Sequence, residues 1–159
     1  MNELPRSLKL VQRAVGVVIL VHLVALILLL THRDVIHGTV LADNPGWSAD
    51  QVDDQTHSLV LQSAIPHVLI PLLLAFRAKA LKSRKSRTRI FLTVLLGIQL
   101  LAHASLPITL HELPGYGAAV IAVQAVSLVF ELSALWLLWA TEDSRAWFVR
   151  ATPVTGLPR

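Results

Sequence analysis

The chain has 159 residues, 54% of them hydrophobic, with a formal charge of +4 and no cysteine. Without cysteine there are no disulfides, thiol nucleophiles, iron–sulfur clusters or thiolate zinc sites, and a mean hydropathy of +0.62 leaves too little polar sequence for a separate soluble domain. A pI near 10.1 would suit nucleic acid, but the basic residues lie where a membrane protein puts them, so no nucleic-acid partner is expected.

Residues 1–13 read as a short amphiphilic lead-in carrying Arg6, Lys9 and Arg13. The first apolar stretch covers 14–31. It is long for the apolar region of a signal peptide and no small-residue cleavage box follows, so an uncleaved span is expected. His32, Arg33 and Asp34 mark its interfacial end. Beyond them, Val35 to Leu41 is moderately apolar and suits the membrane interface. Asn44-Pro45-Gly46 signals a turn, and Trp47 is an interfacial anchor. Ser48 and Gln51 fit a capping box, with Asp50 placed to complement the helix dipole. One helix should therefore start at Ala49, rise about two turns above the membrane and run into a second span at 59–76. Asp50, Asp53, Asp54 and His57 share one face of the rising part. A solvated acidic face is the plain reading, and a divalent cation the other.

Pro66 and Pro71 inside the second span should kink it. The following link, 77–89, holds Arg77, Lys79, Lys82, Arg84, Lys85, Arg87 and Arg89 and no acid. Its tight turn is expected at Ser83 to Ser86, and its charge would attract anionic lipid along Arg77–Arg89. A third span covers 90–110. The turn from His111 to Gly117 is short, so the third span and a fourth at 118–140 should be antiparallel neighbours. Its His111-Glu112 pair reads as solvated. The fourth span ends at Trp136 and Trp139. Trp147, Phe148 and Arg150 follow on a segment suited to the inner leaflet, and 151–159 reads as a disordered tail.

Each stretch approaches the roughly 20 residues that a helix needs to cross about 30 Å of hydrocarbon, and only helices satisfy their own backbone there. All basic residues except Arg33 fall at the two termini or in the 77–89 link. Lys and Arg favour the cytoplasmic side. The predicted fold is an all-α, four-span, up-and-down bundle in the cell membrane, with both termini cytoplasmic and 1–150 forming one domain.

Every span carries polar residues near its middle. At about 1.5 Å per residue from the inner ends, His22, His67, Gln99 and Glu131 come out at a common depth of about 12–15 Å. His103, Gln124 and Ser63 form a second, shallower layer. Ser63 and His67, Gln99 and His103, and Gln124, Ser127 and Glu131 each share a helical face. The simplest packing turns these faces inward. Glu131 is the costliest member, on the order of 3 kcal/mol at the centre of a span, and His22 and His67 are its expected partners.

The stretch Asn44-Pro45-Gly46-Trp47-Ser48-Ala49-Asp50-Gln51-Val52-Asp53 and the exit Trp136-Leu137-Leu138-Trp139 with Ser144-Arg145-Ala146-Trp147-Phe148 resemble small four-span integral membrane proteins of high-GC actinobacteria. The resemblance implies the architecture and no activity or site residue. No catalytic motif stands out, so the first expectation is a non-enzymatic accessory or structural subunit, or a self-associating bundle. Ala118, Ala122, Ala125 and Ser133 supply small packing points for a homo-oligomer or a larger membrane complex. The alternative is a small transporter or proton- or ion-conducting protein using His22, His67, Gln99, His103, Gln124 and Glu131. No cofactor or metal is expected. A b-type haem held by His22 and His67 is a weaker alternative, because Val21, Leu23 and Val68 crowd the two histidines.

Overall fold

The computed structural model describes residues 3–105 and 117–149, and these are helical without strands. α1 runs from Arg6 to Thr31, α2 from Arg33 to Asp43 and α3 from Ala49 to Ala80; a 3-10 turn at Leu81–Ser83 follows, then α4 from Ser86 to Ser105, α5 from Gly117 to Trp139 and α6 from Glu142 to Val149. The links at Pro107 and at His111-Glu112, and the tail 151–159, lie outside the described residues.

The expected lead-in is already helix. Pro5 precedes α1, where a missing N–H costs nothing. Ser7, Leu8 and Val11 are buried, so the first turns of α1 belong to the core. α1 stops at His32, and α2 turns away as a separate short helix. The capping box at α3 is complete. Ser48 Oγ accepts from the Gln51 amide at 3.4 Å, and Gln51 Oε1 accepts from the Ser48 amide at 2.9 Å. α3 then runs through Pro66 and Pro71 without a break. Each proline strands the carbonyl four residues earlier, at Gln62 and His67. The tight turn after α3 closes at Arg84, whose φ of 57° is left-handed, a strained choice for a side chain of that size.

Paired contacts give the direction of neighbours. Gln12 Nε2 donates to the Ala78 carbonyl and His22 meets His67, so α1 and α3 are antiparallel. Trp139 Nε1 donates to Thr93 Oγ1 and Glu131 meets His103, so α4 and α5 are antiparallel too. One end of the bundle, here the Arg84 end, is closed by an apolar core. Leu8, Val11, Val15 and Val18 of α1 meet Leu74 of α3, Leu92 and Leu96 of α4 and Ala134 and Leu138 of α5. α6 covers this core with Trp147 and Phe148, and Trp147 Nε1 donates to the Leu81 carbonyl at 3.1 Å. The link cations stack on these aromatics: Arg84 lies 4.0 Å from the Trp147 ring, Arg89 3.6 Å from Trp139 and Arg77 4.3 Å from Phe91.

The outside of the bundle is apolar. Leu101 is 72% exposed and Phe76 65%, with Leu20, Ile27, Leu72, Val129 and Trp136 similarly bare. The buried set includes His22, Gln99, His103, Gln124 and Glu131. Apolar outside and polar within is the pattern of a chain solvated by lipid. Three helices, Arg6–Thr31, Ala49–Ser83 and Gly117–Trp139, are long and apolar enough to cross a membrane. α4 opens with Arg87 and Arg89, and the part of the 90–110 stretch beyond Ser105 lies outside the described residues.

Candidate functional site

The structure brings the six polar residues singled out in the sequence into one neighbourhood above the apolar core. Gln99 Nε2 of α4 meets His22 Nε2 of α1. On its other side, His22 Nδ1 lies 2.8 Å from His67 Nδ1 of α3. The His22 ring also stacks on His103, with centroids 5.7 Å apart and planes at 29°. His103 Nδ1 lies 3.0 Å from Glu131 Oε1, at ion-pair distance but outside hydrogen-bonding alignment. Ser127 Oγ donates to the same Glu131 oxygen at 2.8 Å.

Two details depart from the sequence reading. The partner of Glu131 is His103, not His22 or His67. His103 of the shallower layer also joins the deeper one, because depth counted along Cα positions ignores where side chains lean. A helical side chain tilts toward its own N-terminus. α4 and α5 are antiparallel, so His103 leans toward the Arg84 end and Glu131 leans away from it, and they converge.

The hydrogen-bond chain has a direction. A Gln99 amide donor requires His22 Nε2 to accept, which puts the His22 proton on Nδ1. His67 then accepts at Nδ1 and holds its own proton on Nε2, at the far end of the chain. Turning the Gln99 amide over reverses every donor in the row.

The cluster forms the floor of a cavity of about 620 Å³. Val21, Ala25 and Leu29 of α1, Pro66 and Ile70 of α3, Ile98 of α4 and Val120 and Val123 of α5 form apolar walls, and Ser63 adds a hydroxyl. α2 roofs it with Ile36, Thr39, Val40 and Asp43. That role was missed in the sequence, although the spacing of those four residues is a one-face helical pattern. His37 Nε2, 3.2 Å from Asp53 Oδ1, ties the roof to α3. The exposed Asp43 stands on the rim at the Asn44 end. Two buried acceptors, Gln124 Oε1 and Glu131 Oε2, have no hydrogen-bond partner among the described residues.

A haem between His22 and His67 would require the two imidazoles to open from their direct contact to about 4 Å, with each nitrogen about 2 Å from the metal. Among the described residues no three His, Asp or Glu side chains are placed to hold a metal ion. Asp53 of the acidic α3 face pairs with His37 instead. Comparison with family models, with curated proteins and with solved structures returns no match to this chain.

Proposed function

We propose that the chain is a four-span protein of the cell membrane, both termini cytoplasmic, that acts as a small transporter by binding a partly polar solute within the bilayer. The single observation that carries this reading is the cavity of about 620 Å³, apolar in its walls and polar in its floor. Small-molecule sites have this size and this mix of many apolar and few polar groups. The stretch 90–110 supplies the remaining span, third in chain order, and the Asn44 end faces outward because the basic 77–89 link belongs inside. Anionic headgroups are the natural counterpart of that link.

The apolar core favours a binding site over a continuous proton wire. Below the polar floor, Val15, Val18, Leu92, Leu96 and Leu138 are fully or almost fully buried and offer a proton no relay. Closure at the Arg84 end is what a transporter presents in one of its states.

Purified protein in nanodiscs should gain thermal stability from 4-phenylbutanol, a small apolar body with a hydroxyl head. Gln124→Trp fills the cavity and should abolish the gain. Proteoliposomes should hold an imposed pH gradient as protein-free vesicles do. A gradient that collapses with the wild-type chain and persists with Glu131→Gln selects conduction instead. No ligand response and no leak selects the accessory reading.

A further inference from the structure

From the unpaired acceptor that lines the cavity and the carboxyls at its rim and behind its floor, we infer that its ligand carries a cationic, hydrogen-bond-donating head, as a protonated amine with an apolar body does; this rests on the proposed binding role of the same cavity. Gln124 is 7% exposed, lines the cavity and leaves Oε1 without a donor among the described residues. Glu131, fully buried behind His103, leaves Oε2 in the same condition. A buried acceptor left unpaired costs about as much as a lost hydrogen bond, so Gln124 Oε1 in the lining favours an incoming N–H, and the Glu131 carboxyl behind it favours a positive head.

Charge points the same way. The lining contains Asp43 but no lysine or arginine. The titratable groups around the cavity are His22 from α1, Asp43 from α2, His67 from α3, His103 from α4 and Glu131 from α5. The two carboxyls are Asp43 at the rim and Glu131 under the floor, and the lining sets no lysine or arginine against them. A carboxylate in a low-dielectric site is stabilised by a cation, and the ligand head supplies one.

An isosteric series separates head from body: 4-phenylbutylamine, 4-phenylbutanol and 4-phenylbutyrate, each titrated against the full chain in nanodiscs by equilibrium dialysis. The amine should bind about tenfold more tightly than the alcohol, consistent with a charged rather than neutral hydrogen bond, and the carboxylate weakest. Glu131→Gln should bring the amine down to the alcohol. Gln124→Leu should weaken both, while thermal unfolding verifies that each variant is folded. Equal binding of all three heads, or preference for the carboxylate, overturns the cationic ligand while leaving the cavity a binding site. Binding of none of them overturns the binding role itself.

Discussion

Glu131 is a fully buried carboxyl whose one satisfied oxygen takes a hydrogen bond from Ser127 and lies beside His103. Glu131→Leu removes the carboxyl and leaves Ser127 Oγ and His103 Nδ1 facing a methyl group. Losing one member of a buried polar network costs roughly 1–3 kcal/mol. Glu131→Gln retains an acceptor for Ser127 and should cost less, so unfolding in mixed micelles should rank wild type, Gln, Leu. A Leu variant as stable as the wild type would mean that the pair contributes nothing to packing. Trp147 makes the second prediction at this scale. Its indole N–H reaches the Leu81 carbonyl, and its ring lies under Arg84. Trp147→Phe keeps the ring and loses the hydrogen bond, a cost of about 0.5–1.5 kcal/mol. Trp147→Leu also loses the cation–ring contact, about 0.5–1 kcal/mol more. Thermal melts of the two variants measure the difference. Periodicity made the polar residues legible one helix at a time. Which imidazole meets Glu131 was not, because that depends on the lean of two antiparallel helices.

At the scale of elements, α3 is tied down well before it reaches the apolar belt. Its capping box holds the first turn, and Val52, Thr56 and Val60 are buried on one side while Asp50, Asp53 and Asp54 are exposed on the other. Hydrogen exchange should show protected amides through residues 53–58; free exchange there would mean an unstructured link. Ser48→Ala removes the cap acceptor and should cost about 0.5–2 kcal/mol, with the added exchange confined to the first turn. The capping box was readable because every group in it lies within four residues. The roof role of α2 was harder to read. A helix of eleven residues gains little stability by itself. It is held by packing on α3 and by the His37–Asp53 pair, both remote in sequence.

For the whole molecule, the proposed orientation rests on the distribution of charge. Ser83 lies exposed in the basic link and Asp54 exposed on the rising part of α3. The chain has no cysteine, so single replacements report cleanly. An impermeant maleimide added outside intact cells should label Asp54→Cys and spare Ser83→Cys; the reverse pattern would invert the proposed topology. Further cysteines extend the test to access. Ser63→Cys in the cavity wall should react with a small hydrophilic reagent more readily than Leu96→Cys in the apolar core.

Sequence by itself determined the features that are local or additive. Apolar length and the need to satisfy the backbone in hydrocarbon require helices, Lys and Arg placement sets the expected side, and i, i+3, i+4 spacing puts each polar set on one face. Tertiary structure alone decided what those faces meet. It joined His103 to Glu131, brought His103 of the shallower layer into the deeper one, set His22 against His67, and laid α2 over the space above them. The physical reason is that a helical pattern specifies direction around an axis, whereas a cavity is a property of several axes together. Its volume and its unpaired oxygens depend on how four long helices cross and on what a fifth, short one covers, and no spacing within a single helix carries that information.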